Sequence, residues 1–514
     1  MSVQKIMTAT AIGINASLVS VEADVSNGLP ATIIVGLPDT AVLESRERVR
    51  SAIKHSGFQY PQTRVSLNLA PGSLPKVGTH FDLPIAVAIM LANGLKVSAE
   101  FKNCDSVLFA GELSLDGSIK SVPGILAMVQ ASRDAGFKMA FVPRPNAAMA
   151  GLVEGITIYP ADTLEQLIRH MIGEESIDCS SVGLGELGNA LTKDIYIDFS
   201  DIAGQHYAKR ALEIAAAGGH NILLTGPPGS GKTMLAKALP GIMPSLDQNE
   251  ILELTKIYNS SGLMHSGVMN HRPVRSPHHT ASSASLIGGG AVPRPGEVTL
   301  AHYGVLFLDE FPEFSRTVLE VLRQPLEDSK ITITRSRYSY TFPSRFILVA
   351  AQNPCPCGNY EQENLECTCH PSSVGRYRKK ISGPLLDRID LHINVPRLEY
   401  KDLMSNPSDD LEKETSGKVQ SRVERARLVQ AERFKKSKTN HEMDPDELKT
   451  FCEIDKESNS LLELAANKYH LSGRSIHRIL KVARTIADLA GSKDIDLQHL
   501  TESLQYRLRE DPTA

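Results

Sequence analysis

The spacing of hydrophobic residues changes repeatedly along the chain, and it predicts a succession of strands and helices. In the first 170 residues, continuous or alternating apolar runs predict strands, and apolar residues at a helical period predict helices, the first of them capped by Asp39. This mixture predicts a compact α/β or α+β domain. The predicted strands lie at residues 12–14, 16–25, 31–36, 64–69 and 107–113, and the predicted helices at 45–54, 83–91 and 124–135.

The pattern changes near residue 199. Short runs of consecutive apolar residues at 221–225, 305–308 and 345–351 are each followed by a glycine-rich or polar loop, and an Ala-rich helix is predicted at 208–217. Continuous apolar strands of this kind are typical of a sheet that is buried on both faces. The region therefore predicts an α/β domain.

The last third of the chain has helical periods. A charged helix at 416–436 has a narrow apolar stripe of Val419, Val423 and Ala426, which indicates a connector. Between 173 and 193 the sequence has small and acidic residues with weak periodicity, which predicts a flexible joint. Four further helices are predicted at 444–451, 458–469, 473–490 and 497–507. The predicted domains are 1–170, a linker at 171–198, a second α/β domain at 199–398, a connector at 399–440 and a helical lid at 441–514.

Composition restricts the class of protein. The 514 residues are 41% hydrophobic and 22% charged, and the formal net charge of −4 argues against a coat of basic residues made for nucleic acid, although a local basic surface or pore is compatible with it. The N-terminus has no apolar signal region, and no stretch has the length of a membrane span. Seven cysteines, four of them clustered, indicate a reduced protein. We expect a cytoplasmic protein with no membrane partner.

The eight residues from Gly226 to Thr233 match the phosphate-binding motif G-x-x-x-x-G-K-[ST] and stand between a predicted strand and a predicted helix. Backbone N–H groups of such a loop surround phosphates, Lys232 reaches the β- and γ-phosphates, and the Thr233 hydroxyl binds Mg²⁺. The motif predicts binding of a nucleoside triphosphate with Mg²⁺, and the AAA+ resemblance described below implies that this nucleotide is ATP. Its residues are Gly226, Pro227, Pro228, Gly229, Ser230, Gly231, Lys232 and Thr233.

Two acidic residues follow the strand at 305–308. Asp309 is predicted to hold Mg²⁺, and Glu310 to polarise the attacking water. Paired acids after an apolar run are common, but downstream of a phosphate-binding loop they are a strong signal. The strand at 345–351 ends at Gln352 and Asn353. Together these motifs resemble those of AAA+ ATPases, in which a polar residue at the position of Asn353 senses the γ-phosphate.

The AAA+ resemblance implies further site residues. Ile202 and Gly204 precede the Ala-rich helix where such proteins line the adenine. Arg388 resembles the finger that a neighbouring subunit inserts against the γ-phosphate, which implies a ring; the alternative is a structural arginine paired with Asp387 or Asp390. Arg474, at the start of a lid helix, fits the second sensor, although Arg478 and Arg484 remain alternatives.

The N-terminal region resembles the proteolytic domain of the Lon family. The similarity lies in residues 75–78, 111–117 and 122–126. That family uses a Ser–Lys dyad, and aligned by these motifs the nucleophile falls on His80 and the general base on Leu126. Since leucine cannot accept a proton, the resemblance implies a catalytically silent Lon-like domain rather than an active protease.

Two insertions resemble those of the helicase and magnesium-chelatase branch, where they project into the pore of the ring. The first contains residues 272–280 and 288–290; the adjacent His278 and His279 suit one metal poorly and are interpreted as loop or polar-contact residues. The second, at 330–342, alternates like a hairpin. It offers charge and stacking surfaces for DNA, with an ordinary exposed hairpin as the alternative. The DNA candidates are Arg335, Arg337, Tyr338 and Tyr340, with the basic stretch 376–380 as a second group.

A cysteine cluster follows Asn353 directly. Cys355 and Cys357, then Cys367 and Cys369, give two C-x-C pairs, and four thiolates this close suit tetrahedral Zn²⁺. Such a metal would brace the loop that leaves the active-site strand. The alternative is four reduced cysteines or a transient disulfide.

Taken together, these motifs identify the chain as resembling the ComM/YifB family of magnesium-chelatase-like AAA+ ATPases over nearly its full length. The most specific parts are residues 275–280, 307–314 and 353–358. The resemblance implies a hexameric DNA helicase that drives branch migration on single-stranded and branched DNA during recombination in natural transformation. The alternative is a magnesium-chelatase-like or remodelling ATPase with a protein partner, although a Lon-like domain is not expected of a chelatase subunit.

Overall fold

The structure is a computed structural model of the chain, and it describes residues 3–102, 104–179, 196–264, 267–290, 294–334, 339–360, 366–398 and 414–507. The chain divides into two compact units. Unit 1 consists of residues 1–192, 247–270 and 292–294, and unit 2 of 193–246, 271–291 and 295–514. Most of the predicted linker, residues 180–195, lies outside the described residues.

The elements alternate as the hydrophobic pattern predicts. Up to residue 179 they are β1 Gln4–Ile12, β2 Asn15–Ser26, β3 Ala31–Val35, α1 Thr40–His55, β4 Arg64–Ala70, α2 Asp82–Ala92, β5 Val107–Phe109, β6 Glu112–Leu113, β7 Ile119–Lys120, α3 Ile125–Asp134, β8 Met139–Pro143, α4 Arg144–Ala150, β9 Thr157–Ala161 and α5 Leu164–Ile172.

The second part of the chain has more helix. From residue 196 onward the elements are α6 His206–Gly218, β10 Ile222–Thr225, α7 Lys232–Ala238, α8 Gln248–Ser260, β11 Val274–Arg275, α9 Ser283–Ile287, β12 Gly288–Gly289, β13 Arg294–Pro295, α10 Glu297–Leu300, β14 Val305–Leu308, α11 Arg316–Glu320, α12 Arg323–Asp328, β15 Lys330–Thr334, β16 Ser339–Pro343, β17 Ile347–Gln352, α13 Pro371–Arg378, α14 Gly383–Leu386, β18 Leu391–Asn394, α15 Ser416–Phe434, α16 Pro445–Phe451, α17 Lys456–Lys468, α18 Gly473–Ala490 and α19 Leu497–Gln505.

Unit 1 is built on a seven-stranded mixed sheet with the strand order β3-β4-β2-β1-β5-β8-β9. Side chains of β5 alternate between two hydrophobic cores: Val107 and Phe109 pack in one, and Leu108 packs in the other. The first core also contains α1 and α2, and the second contains α3 and α4. The sheet is therefore covered on both faces.

Several predicted elements of unit 1 are confirmed, and one is wrong. The first helix begins after Asp39, whose carboxylate accepts a hydrogen bond from the N–H of Val42. The strand predicted at 12–14 does not exist there, because Gly13 and Ile14 form the turn of the β1–β2 hairpin, with Gly13 at φ +64°. The pattern also failed to predict β1 itself, which pairs antiparallel with β2 along its full length.

Unit 1 includes a segment that the sequence assigned to the ATPase domain. Helix α8 packs against α3, and the carboxamide oxygen of Asn259 lies 3.5 Å from the backbone nitrogen of Leu126. Lys256 donates to the side chain of Asn15, 3.0 Å away, and Val268 is buried in the same core as α3. The chain between the phosphate-binding loop and the acidic pair therefore contributes to the N-terminal core.

Unit 2 is built on a five-stranded sheet with the order β11-β14-β17-β10-β18, and its described pairs are all parallel. The connector helix α15 packs on this core through Val419, Val423 and Ala426, which confirms the predicted stripe. The C-terminal helices α16 to α19 share a core of their own that includes Leu462 and Ile479. None of the described helices is both long and apolar enough to span a membrane.

Candidate nucleotide-hydrolysis site

The motif residues meet at one edge of the unit 2 sheet. The phosphate-binding loop follows β10, the acidic pair follows β14, and Asn353 follows β17, which pairs with both of these strands. Because neighbouring parallel strands end at the same edge, the three motifs converge there, where ligands of open α/β sheets bind.

The phosphate-binding loop is shaped by close backbone contacts. A Cβ on Gly226 would stand 2.2 Å from the carbonyl oxygen of Val395, so glycine is required at this position. Gly231 has φ +91° and precedes α7. The hydroxyl of Ser230 is buried with no hydrogen-bond partner among the described residues. A tight loop with an unpartnered buried hydroxyl fits a phosphate ligand.

Lys232 lies inside this loop. Its ammonium donates to the carbonyl oxygens of Gly226 and Pro227, each 2.8 Å away, and approaches the side-chain oxygen of Asn353 at 3.3 Å. Burial lowers the pKa of Lys232, and the charge of Asp309 opposes that shift. The structure thus brings together the lysine, the sensor asparagine and the acidic residue.

A pair of oxygen atoms suitable for Mg²⁺ stands beside the lysine. The Thr233 hydroxyl lies 3.1 Å from a carboxylate oxygen of Asp309, and the other Asp309 oxygen accepts from the backbone N–H of Glu310. Mg²⁺ prefers hard oxygen ligands of this kind, held with water and substrate phosphates. The donor set fits the predicted metal.

Glu310 has an unusual backbone. Its φ is +50°, in the left-handed region that residues other than glycine seldom adopt, and its side chain is 59% exposed. Nδ1 of His279 lies 3.2 Å from Oε2 of Glu310. Sequence reasoning gave His279 no place in the site; the available signal was its position just after β11, the strand that pairs with β14.

Comparisons with known proteins agree with this geometry. A family model described as magnesium chelatase, subunit ChlI, matches residues 198–403, its C-terminal model matches 413–507, and a model described as subunit ChlI of Mg-chelatase matches 21–146. The competence protein ComM of Haemophilus influenzae is 41% identical over 99% of this chain and 98% of its own length. The chain belongs to the ComM/YifB family of magnesium-chelatase-like AAA+ ATPases.

Two further relatives match the chain, one over its full length and one over a part of it. The uncharacterised protein YifB of Escherichia coli is 41% identical over 99% of this chain and 97% of its own length. Lon protease 2 of Bacillus subtilis is 30% identical over 152 residues, 27% of each chain. The fold is therefore α/β, with a P-loop AAA+ core, an N-terminal Lon-like domain and a C-terminal helical lid. Membership of an AAA+ ATPase family implies the use of ATP and Mg²⁺.

The adenine candidates of this family member lie next to the phosphate-binding loop. Ile202 is 6% exposed in the unit 2 core, and Gly204 has φ +53°. The adjacent Gln205 donates to the carbonyl oxygens of Pro396, at 2.8 Å, and Ser230, at 3.4 Å. These bonds fix the segment beside the loop, and the contact with adenine remains a prediction.

Arg388 is engaged within its own subunit. Its guanidinium lies 2.5 Å from Glu327 and donates to the carbonyl oxygen of Pro384, and the residue is 8% exposed. The structural alternative named Asp387 or Asp390 as its partner, and both are wrong, because the carboxylate that reaches Arg388 comes from α12. A role as a trans finger remains a prediction.

The three lid arginines differ in exposure. Arg478 pairs with Asp390 and donates to the backbone carbonyl of Arg388. Arg484 is buried against Asp488. Arg474 is exposed in the first turn of α18, so it is the candidate whose side chain lies at the surface.

Asp390 links the core to the lid. It is 2% exposed and is contacted by His220, by His441 and by Arg478. Burial alone would raise the pKa of Asp390. The guanidinium of Arg478 and the contact with His441 have the larger, opposite effect, so the pKa of Asp390 lies well below its ordinary value. Two histidines and an aspartate could suit a metal, yet Arg478 already supplies the positive charge. We interpret the cluster as a structural ion-pair network.

The four clustered cysteines converge. Sγ of Cys355 lies 3.3 Å from that of Cys357 and 3.8 Å from that of Cys367, and Cys357 and Cys367 are 3.6 Å apart. With Cys369, all four sulfurs lie within 4.8 Å of one another. A tetrahedral Zn²⁺ with Zn–S bonds of about 2.3 Å separates its sulfurs by about 3.8 Å. The donor set therefore fits zinc in both chemistry and spacing.

The residues proposed to contact DNA are only partly described. β15 and β16 form the predicted hairpin, in which Tyr340 pairs with Ile333. Arg335, Arg337 and Tyr338 lie outside the described residues. In the basic stretch 376–380, Lys380 pairs with Glu313 at 2.9 Å, and Arg378 stacks over the ring of Tyr360.

In the Lon-like domain, the two residues predicted to stand at the dyad positions are buried. His80 is 4% exposed, its Nε2 has no hydrogen-bond partner in the described part of the chain, and burial lowers its pKa to about 4. Leu126 is 0% exposed and packs in the core of α3. Neither side chain is accessible to a peptide substrate.

Proposed function

We propose that this protein is a cytoplasmic, hexameric, ATP-driven motor that moves single-stranded and branched DNA and promotes branch migration in recombination during natural transformation. The observation that carries the proposal is the convergence of Lys232, Thr233, Asp309, Glu310 and Asn353 at one sheet edge. The similarity to the competence protein ComM over the full chain supports the DNA role.

In this proposal the residues of one subunit bind and orient the nucleotide. Lys232 and the loop backbone neutralise and hold phosphates, Thr233 and Asp309 hold Mg²⁺, and Asn353 senses the terminal phosphate. Glu310 removes a proton from the attacking water as general base. ATP bound there supplies the phosphoryl group whose transfer to water drives the motor.

In the proposed ring, Arg388 and Arg474 supply positive charge to the γ-phosphate. Arg388 leaves Glu327 when subunits meet and reaches the γ-phosphate of the neighbour, where its charge stabilises the transition state. Arg474 approaches the same phosphate from the lid. Its exposure supports this choice, since Arg478 and Arg484 are held by Asp390 and Asp488.

We further propose that Cys355, Cys357, Cys367 and Cys369 hold a structural Zn²⁺. Their sulfur atoms all lie within 4.8 Å of one another, which is the arrangement that four thiolate ligands of one Zn²⁺ require. Four closed thiolate ligands leave no position for water, so the metal would brace the loop after Asn353 rather than take part in hydrolysis.

The test of the DNA role is a strand-exchange assay. Purified full-length protein is incubated with ATP, Mg²⁺ and labelled three-strand or four-way junctions, with Glu310→Gln as the matched inactive variant. We expect ATP-dependent conversion of the junctions and DNA-stimulated hydrolysis, both lost in the variant. Absence of strand displacement together with indifference of hydrolysis to DNA would reject the proposal.

A second candidate is a magnesium-chelatase-like or remodelling ATPase that acts on a protein. Family models named for the ChlI subunit match residues 21–146 as well as the ATPase region. The N-terminal domain therefore does not argue against a chelatase-like function, contrary to the expectation from the sequence. This candidate predicts a stable complex with a protein substrate and hydrolysis that DNA leaves unchanged. The junction assay therefore separates the two functions.

A further inference from the structure

The loop that follows β11 contacts the acidic pair. β11 pairs in parallel with β14, with Val274 opposite Val305 and Arg275 opposite Leu306. The chain continues from β11 into His278 and His279, and from β14 into Glu310. Both segments therefore leave the sheet at the edge where the nucleotide motifs converge, which places an imidazole next to the proposed general base.

The imidazole of His279 contacts two other aromatic rings and is 32% exposed. Its ring lies 4.1 Å from that of His278 and makes an edge contact with Phe314, which is 4% exposed. The strand before it is anchored by a bidentate pair between Arg275 and Glu297, at 2.6 and 2.9 Å. His279 is therefore oriented by packing, independently of its contact with the carboxylate.

Glu310, in contrast, has little else in the described residues to fix its side chain. It is 59% exposed, and its backbone adopts a left-handed conformation that costs energy for a residue other than glycine. Its carboxylate oxygen Oε2 lies 3.2 Å from Nδ1 of His279. This close polar contact joins an imidazole nitrogen to a carboxylate oxygen, the pairing by which a histidine can restrict the orientation of an acidic side chain.

We propose that His279 is a positioning residue that orients the carboxylate of Glu310 toward the attacking water. This inference rests on the proposed role of Glu310 in ATP hydrolysis. A general base that is itself oriented by a third group is a recurrent arrangement in hydrolytic sites, because an exposed carboxylate otherwise occupies several rotamers and only some of them reach the water.

The test compares two neighbouring histidines. Nδ1 of His278 lies 2.9 Å from the hydroxyl of Thr280 and does not contact Glu310, so His278→Phe, which keeps a ring against His279, is the matched control. His279→Ala should lower kcat about tenfold or more, as part of the contribution of a general base. The KM for ATP should be unchanged, because the residues that bind phosphate and Mg²⁺ remain. His279→Asn, which keeps an N–H donor, should restore part of the lost kcat.

A double variant tests whether His279 acts through Glu310. In the Glu310→Gln background, His279→Ala should cause no further loss, since the carboxylate that it orients is already absent. An additive loss would overturn the proposal, as would an unchanged or increased kcat in His279→Ala. If Glu310→Gln hydrolyses ATP at the parental rate, the assignment of the general base fails instead, and the two failures are thereby distinguished.

Discussion

The ATPase core and the Lon-like domain each present the positions of a hydrolytic motif, and they differ in what surrounds those positions. In the ATPase core, Thr233 and Glu310 are exposed, and Lys232 reaches Asn353. In the Lon-like domain, the residues predicted to stand at the two dyad positions are His80 and Leu126, and both are buried. Buried, close-packed side chains stabilise a core, whereas a catalytic group must reach its substrate.

The comparison shows how the predicted dyad positions contribute to the packing of the Lon-like domain. The sheet of unit 1 packs helices on both faces, and Leu126 contributes to one of those cores. A buried leucine adds about 1.5–3 kcal/mol of hydrophobic stabilisation, which a lysine at the same position could not supply without an ionic partner. Selection for stability and selection for proteolysis therefore favour different residues at this position.

The largest expected effect concerns Arg388. If it is a trans finger, Arg388→Ala should leave nucleotide binding intact and lower kcat by about 10³–10⁵-fold, because the charge that stabilises the transition state is lost. Mixing this variant with Lys232→Ala protein should restore some hydrolysis, since some interfaces then combine an intact loop with an intact arginine. Hydrolysis is measured on the separate and the mixed proteins.

Glu327→Gln is the control for Arg388. It breaks the ion pair at 2.5 Å without touching the guanidinium. A finger predicts that this variant keeps its turnover, whereas a purely structural arginine predicts that both variants lose activity together. Failure of the mixed proteins to recover any hydrolysis would also contradict the trans role. Either result would leave the ATPase site with all of its functional groups on one chain.

The second prediction concerns the cysteine cluster, which follows Asn353 in the ATPase core. Purified protein should contain about one zinc per chain, as expected for four thiolate ligands, and Cys367→Ser/Cys369→Ser should lose it. Hydrolysis should then fall, because the loop after the sensor is no longer braced, although no ligand touches nucleotide. Metal content is measured by mass spectrometry, and Cys179→Ser, an exposed cysteine outside the cluster, is the matched control. Metal-free protein with full activity would contradict the prediction.

The sequence predicted the helices and strands better than it predicted which of them pack together. Helix α1 with its cap, the stripe of α15, and the strands that precede Lys232 and Asp309 follow from local spacing, because burial of side chains imposes a period on the sequence. The association of α8 with unit 1 does not follow from local spacing. It depends on contacts between residues far apart in the chain. An amphipathic pattern indicates that one face of a helix is buried, but it does not indicate which other element covers that face.

The same limit applies to the candidate site. Motif spacing was enough to bring Thr233 close to Asp309, because both follow strands of one parallel sheet. It did not identify Glu327 as the partner of Arg388, or His279 as the neighbour of Glu310. Each of these pairs joins a motif residue to a side chain on another loop or helix, where many sequences would present a carboxylate or an imidazole.

The smallest expected effect is in the Lon-like domain, and it concerns His80. His80→Leu keeps most of the side-chain volume, and His80→Ala does not. The imidazole is buried and, with a pKa of about 4, uncharged at neutral pH, so neither change removes an accessible acid, base or nucleophile. We expect no ATP-stimulated cleavage of casein by the parent or by either variant, and unchanged ATP hydrolysis in His80→Leu; a drop confined to His80→Ala would report a packing defect. Cleavage by the parent that disappears in His80→Leu would show that the buried position is catalytic, and the contrast between the two regions would fail.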